Sequence, residues 1–434
     1  MSDLDVSGLL TVQQAIRVLD TVPVTPRTIR VPLAQAEGLW LARSLTADRD
    51  YPPFDKSQMD GYAVRRADVA NLPAELLKVG EVAAGRTPDR SVEPGEAIAI
   101  MTGAPIPQGA EGVVPVEDVE VVDEQTIRVV HSGGDPARFI ARRGSDCAAG
   151  LTVLEAGARL SPAQIAVAAS IGADEVEVFD RPHVAVLATG DELVPAGQAP
   201  GAAQIRNSNT PMLVALLRRL GCDVTDLGTV PDQPDAIRDA LVRGLAYDAL
   251  FVTGGMSMGE YDYVPRLLKE IGVDLQITKL RIKPGKPFVF GTWEGEAPAE
   301  PNRSQSEKPG SAGALPSRFV FGLPGNPVSG FVCTIRLASR LLARLAGGTP
   351  EDRWLSGKLD TGLPANGPRE FYQPVVRTVA RGRDSSHAEI ATITPLKWKG
   401  SADLFTLARA NALLVRAEND PAMPKGTVVR VLEL

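Results

Sequence analysis

The spacing of apolar positions divides this chain into stretches of different period. Near the start, Val12, Ala15, Ile16 and Leu19 recur at helical spacing, and Thr11 stands where an N-cap belongs, so one short amphipathic helix is predicted. Past Val31-Pro32-Leu33 the period shortens. The runs at 96–101, 112–116 and 127–130 are brief, rich in Val and Ile, and separated by Gly and Pro turns, which predicts a small β-rich domain over 51–146. From His183 the pattern changes again. A continuous apolar run at 183–188 precedes a helix marked by Leu213, Leu216, Leu217 and Leu220. Next come a strand at 222–230, a helix carrying Ile237, Ala240, Leu241 and Leu245, and a buried strand at 247–253. Strands apolar on both faces, alternating with helices, predict a doubly wound parallel sheet. Phe331, Ile335, Ala338, Leu342 and Leu345 mark a last helix closing that region near 350, and 351–434 returns to short strands of a compact barrel or sandwich. The stretch 294–317, between strands at 288–293 and 318–322, has almost no large apolar side chain and reads as a disordered insertion.

Length adds to this picture: 434 residues exceed what one core supports, so three or four domains of ~100–150 residues are expected. A hydrophobic content of 44% and a charged content of 23% fit a soluble globular protein, and no apolar run approaches the ~18 residues of a membrane span. The N-terminal Met-Ser-Asp-Leu-Asp has neither part of a signal peptide, so a cytoplasmic location is expected. A net charge of −7 argues against a nucleic-acid role. Cys147, Cys222 and Cys333 are far apart, and only His131, His183 and His387 are present, so a bound metal would be held by carboxylates.

Candidate chemistry gathers where the parallel strands end, because open α/β sheets bind ligands at their carboxyl edge. Thr189-Gly190-Asp191-Glu192 follows the first strand and Pro231-Asp232 the second. After the third comes Thr253-Gly254-Gly255-Met256-Ser257-Met258-Gly259-Glu260-Tyr261-Asp262, which reads as a strand, a glycine turn and a helix restarting at an acidic cap, a form suited to cradling phosphate. Glu192, Asp232 and Asp262 on one rim would repel each other without a cation, and carboxylates with phosphate oxygens are the ligands Mg²⁺ takes. Each acid alone also serves as a helix cap.

Lys279, Arg281 and Lys283 alternate along an extended run before Pro284-Gly285-Lys286, placing three unpaired cations on one face for an anion or for water. Leu323-Pro324-Gly325-Asn326-Pro327 is a second strand-to-helix turn, with Ser329 placed to face an anion. Gly255-Met256-Ser257-Met258-Gly259 also fits the G-x-S-x-G nucleophile elbow, but the one downstream histidine, His387, falls in a polar turn of another domain, which disfavours a serine hydrolase.

These motifs together resemble the molybdopterin molybdenumtransferase family, called MoeA in bacteria and related to the gephyrin E-domain. The resemblance rests on Pro52-Pro53-Phe54-Asp55-Lys56-Ser57-Gln58-Met59-Asp60-Gly61-Tyr62-Ala63, Met101-Thr102-Gly103-Ala104, Thr189-Gly190-Asp191-Glu192-Leu193, the stretch from Thr253 to Asp262, Lys283-Pro284-Gly285-Lys286-Pro287, and Leu323-Pro324-Gly325-Asn326-Pro327. Gln58 departs from the small residue usual at its place.

The resemblance implies an α/β plus β protein of four domains in an elongated homodimer. These would be a split linking domain (1–50 with 147–182), the β-rich domain (51–146), a doubly wound, MogA-like molybdopterin-binding domain (183–350) and a C-terminal β-barrel (351–434). It implies that adenylylated molybdopterin binds, molybdate is inserted and AMP leaves. Glu192, Asp232 and Asp262 match metal-associated positions for Mg²⁺. Thr189, Gly254, Gly255 and Ser257 fall near phosphate. Lys279, Lys283, Lys286, Pro324, Pro327, Ser329, Arg369 and Ser401 fall around the pterin and the molybdate oxyanion. Asp60, Thr102 and Asp146 would reach the site across the dimer. A molybdopterin adenylyltransferase is implied as upstream partner, with no nucleic-acid or membrane partner. Two other readings stay open: an adenylyltransferase activity of the α/β domain itself, and a non-catalytic pterin-binding scaffold.

Overall fold

A computed structural model describes residues 9–131, 135–256, 263–295, 317–379 and 391–434. The expectations placed on Ser257, Asp262 and His387, and on nearly all of the 294–317 stretch, fall outside the described residues. The chain forms two compact units, one of residues 30–37 and 41–177 and the other of the remainder.

The first unit is built on a six-stranded sheet in the order Gly112–Pro115, Gly61–Val64, Glu96–Ile100, Ala74–Val82, Thr126–Val129, Val119–Val121. Gly61–Val64 is buried throughout and runs antiparallel between its neighbours. Its side chains alternate between two cores, Tyr62 and Val64 joining Leu76 and Val114 while Ala63 joins Val82 and Ile98. The strand therefore holds the residue just before it, Asp60, at a fixed place on the sheet edge.

In the second unit Thr11 caps the helix Val12–Thr21 in a reciprocal box with Gln14, as the spacing predicts. The central sheet has the order Asp223–Val230, His183–Thr189, Ala249–Thr253, Arg318–Leu323, Val289–Trp293, Asp274–Ile277. The first four strands are parallel, but Val289–Trp293 runs antiparallel to both neighbours, so the sheet is mixed rather than wholly parallel. Among the described residues no helix joins these last three strands, and a parallel crossover needs one.

Both faces are covered, as continuous apolar strands require. Val184, Val186, Phe251 and Phe321 pack with Leu213, Leu217, Val328 and Val332 on one side. Ala185, Leu187, Leu250 and Val252 pack with Ile237, Leu241, Leu267 and Leu268 on the other. Strand order reverses beside His183–Thr189, which makes the ends of this strand and of Ala249–Thr253 the topological switch point.

The helix after Leu323 is not uniform. Pro327–Cys333 leads into a π turn at Thr334–Ala338 before Ser339–Leu345 resumes, a feature that apolar spacing does not reveal. The C-terminal strands form a barrel and not a sandwich. Glu370–Thr378, Thr392–Pro395, Trp354–Leu359, Val428–Glu433 and Ala412–Arg416 follow one another, and the last pairs back with the first. Ile282–Lys283 adds in parallel to the start of Glu370–Thr378, so the chain leaving the α/β sheet is stitched to the barrel edge.

Candidate functional site

At the switch point the strand ends approach closely through backbone. Gly254 has φ +97°, and a Cβ there would lie 2.3 Å from the Thr189 carbonyl oxygen, so no other residue fits without displacing a neighbouring strand. Gly325, in the turn after the fourth parallel strand, lies against Gly254. Asn209, first residue of the helix Asn209–Arg219, ties these turns together: its Nδ2 donates to Thr253 Oγ1 at 2.9 Å and to the Gly325 carbonyl at 2.6 Å.

Two polar atoms at this place are buried without a hydrogen-bond partner among the described residues, Thr189 Oγ1 and Asn209 Oδ1. Thr189 is only 2% exposed. Leaving such groups unpaired costs about 1–3 kcal/mol each, and a ligand that supplies the partners recovers it.

The acids stand around this cradle. The Asp232 N–H donates to Asp191 Oδ1 at 3.1 Å, which joins the ends of the two neighbouring strands. Glu192 is exposed, and its carboxylate folds back on Gly190. Asp262, the third member of the expected metal set, is outside the described residues, and the helix that follows, Val264–Glu270, has Tyr263 rather than an acid at its N-cap. Among the described residues no three acidic, His or Cys side chains converge as a ready metal cage. Glu192 and Asp232 offer oxygen donors at an open rim, a set that suits Mg²⁺, which is bound by one or two carboxylates with phosphate and water completing its shell.

The cationic run lies on the adjoining barrel edge. Leu280 and Ile282 are fully buried while Lys279, Arg281 and Lys283 lie on the other side, as period two predicts. Three unpaired cations are not what is found, however: Arg281 Nε meets Glu418 Oε1 at 3.4 Å. Lys283 instead places its ammonium 4.6 Å from the centre of the Phe371 ring, which stacks on Trp398 at 5.8 Å.

The turn that carries Lys283 and Lys286 rests on the helix below it. Gly285, at φ +120°, leaves room for Cys333, whose Sγ would lie 2.6 Å from any Cβ at that position. Burial pushes the Cys333 thiol far up, so it stays protonated and serves as packing. Pro324 is buried, Pro327 is half-buried at the first helical position, and Ser329 is buried two positions on. Ser401 reaches the same turn, its carbonyl accepting from the Val328 N–H at 3.0 Å and its hydroxyl from Asn326 Nδ2 at 2.9 Å. Arg369 stands half-buried just before the strand that carries Phe371.

In the other unit, Thr102 donates through its N–H at 2.6 Å and its hydroxyl at 2.8 Å to Asp60 Oδ1. These two bonds, the N–H first, hold the Asp60 carboxyl below the usual carboxylate range. Asp146 is exposed, its N–H bound to the Tyr51 carbonyl at 2.9 Å and its Oδ1 accepting from Ser145 at 3.2 Å. Asp60 and Thr102 thus form one local acceptor group.

Comparison with known proteins matches three family models in series along the chain. The MoeA N-terminal region (domain I and II) matches 10–172, a probable molybdopterin binding domain matches 185–344, and the MoeA C-terminal region (domain IV) matches 356–434. The molybdopterin molybdenumtransferase of Staphylococcus aureus is 32% identical over 97% of this chain and 94% of its own length. Molybdopterin molybdenumtransferase 2 of Mycobacterium tuberculosis is 32% identical, covering 98% and 99%. This chain belongs to the MoeA family of molybdopterin molybdenumtransferases. A crystal structure of the molybdopterin biosynthesis MoeA protein of Pyrococcus horikoshii shares 26% identity with a TM-score of 0.78, covering 98% of this chain and 100% of that one.

The MoeA-type motifs account for most of the residues at the rim, and two groups of residues are added by the structure. Asn209 escaped sequence reasoning. Its signal was the polar cluster Asn207-Ser208-Asn209-Thr210 opening a helix beside a strand end. Phe371 and Trp398, which support Lys283, carried no signal, since each reads as an ordinary barrel apolar position.

Proposed function

We propose that this protein is a transferase that inserts molybdenum from molybdate into adenylylated molybdopterin, releasing AMP and the molybdenum cofactor. The observation that carries the reading is the switch-point cradle. Two buried polar atoms wait for partners within a turn of glycines, directly beside a barrel edge that offers Lys283, Arg369 and Ser401. Family membership supplies the chemical class, and the glycine turn with the adjoining cationic edge gives it a physical form.

In this reading the Gly255 N–H and the Thr189 hydroxyl orient the phosphate end of the nucleotide, the Gly254 N–H being bound to the Leu323 carbonyl. Lys283 and Arg369, with Lys279 and Lys286 beside them, hold the molybdate dianion, and Ser329 and Ser401 line the turns between the pockets. Fixing both substrates side by side supplies rate through proximity, and fixed cations stabilise charge that grows on the phosphate as the anhydride bond breaks. A Mg²⁺ ion held by Glu192 and Asp232, with Asp262, would supply charge neutralisation at that phosphate. Asp60, Thr102 and Asp146 would complete the site from a second copy, making the working species a homodimer. A molybdopterin adenylyltransferase would supply the substrate, in the cytoplasm. Among the described residues no helix is long and apolar enough to cross a membrane.

The test is molybdate-dependent AMP release by purified protein given adenylylated molybdopterin. Release that rises with molybdate supports the reading. Formation of adenylylated product from ATP and pterin would favour an adenylyltransferase, and tight binding of pterin with no turnover would favour a scaffold.

A further inference from the structure

A chain of polar side chains crosses the apolar core beneath the cationic pocket. Arg336 sits in the π turn Thr334–Ala338 and is 4% exposed. Its Nε donates to the Tyr372 hydroxyl at 2.8 Å, and its Nη1 donates to Asp352 Oδ2 at 2.6 Å. Tyr372, fully buried, donates in turn to Glu370 Oε1. Arg340 continues the chain on the far side, from Asp352 at 3.2 Å to Asp20 at 2.7 Å. Burial raises the Tyr372 hydroxyl well above its ordinary pKa, so it remains a donor.

Stability alone is a weak account of such a chain, because apolar side chains of similar volume pack as well or better in place of buried ion pairs. Its placement offers another. Glu370 and Tyr372 share one face of the strand Glu370–Thr378, and the alternate residue Phe371 lies on the other, beneath the Lys283 ammonium. Arg369 comes one residue before the strand begins. Whatever fixes Glu370 and Tyr372 therefore fixes the strand end that presents Arg369 and Phe371. The π turn, which adds a residue to one helical turn, lies where Arg336 makes this reach.

We propose that Tyr372, held between Arg336 and Glu370, is a positioning residue for the oxyanion pocket formed by Lys283, Phe371 and Arg369. The proposal rests on the reading that this pocket takes molybdate. Tyr372 touches no substrate. It acts by preventing the strand end from shifting, so its loss loosens the pocket without removing a charge from it.

Tyr372→Phe deletes one hydroxyl with little change of volume, and losing a hydrogen bond between buried partners is expected to weaken molybdate binding by about tenfold. Adenylylated molybdopterin, titrated separately, should bind as in the unaltered protein. Glu370→Gln keeps an acceptor for the Tyr372 hydroxyl and should bind molybdate as well as the unaltered protein or better. A loss confined to molybdate in Tyr372→Phe, with Glu370→Gln spared, supports the proposal. Unchanged molybdate affinity in Tyr372→Phe overturns it, and so does an equal loss of both ligands in step with a lowered Tm, which marks a purely structural role. Failure of the unaltered protein to bind molybdate overturns the underlying reading and this inference with it.

Discussion

At the ends of the parallel strands the proposed recognition surface is backbone. Gly254 and Gly325 bring main chain together, and the side chains that matter there, Thr189 and Asn209, are short. At the barrel edge the surface is side chain. Lys283 is exposed, stands on an aromatic ring, and depends on a turn seated over Cys333 and on a strand end held from behind by Tyr372. The first site is closed by main chain, and in the second long side chains are braced by others. Damage to the two should look different: a misfit in the first strains the fold, whereas a loss in the second lowers affinity and leaves the fold standing.

The sharpest way to break this comparison is at Gly254. Gly254→Ala forces a side chain into left-handed backbone and against the Thr189 carbonyl, and it is expected to destabilise the protein by roughly 3 kcal/mol while abolishing pterin binding. Urea unfolding with ligand titration checks both. A variant of normal stability that still binds would show that the strand ends are not closed by backbone contact.

Lys283→Ala should have a smaller and narrower effect. Molybdate affinity is expected to fall about tenfold, with Tm and pterin affinity unchanged, because an exposed ammonium contributes charge rather than packing. Since that charge faces water, molybdate binding by the unaltered protein should also weaken as salt rises from low to physiological ionic strength, whereas binding at the glycine cradle should respond less. Isothermal titration at two salt concentrations separates them.

The same contrast decides what was legible in the sequence. The cradle was, because a buried strand that stops at paired glycines leaves a local pattern, as Thr253-Gly254-Gly255 does. The cationic run was legible as a face, since Leu280 and Ile282 alternate inward, but its charge balance was not. Glu418, which pairs with Arg281, lies 137 positions along the chain, in the turn that follows Ala412–Arg416. The antiparallel strand at Val289–Trp293 was hidden for a related reason, since an apolar run fixes burial but not direction. The π turn and the Arg336–Tyr372–Glu370 chain were invisible, because a buried arginine has the same spacing as an exposed one until the barrel is packed beside it.

The smallest expected effect is the most discriminating. Thr189→Val replaces a hydroxyl that has no partner among the described residues, so it breaks no hydrogen bond among them and sheds a buried polar group. Its stability should hold or rise by about 1 kcal/mol. Pterin binding should weaken at the same time, since the ligand loses the contact that made the hydroxyl worth burying. Thermal unfolding and ligand titration of the one variant must therefore move in opposite directions. If Tm falls with affinity, the hydroxyl is a structural contact in the free protein, and the cradle is braced by side chains much as the barrel edge is.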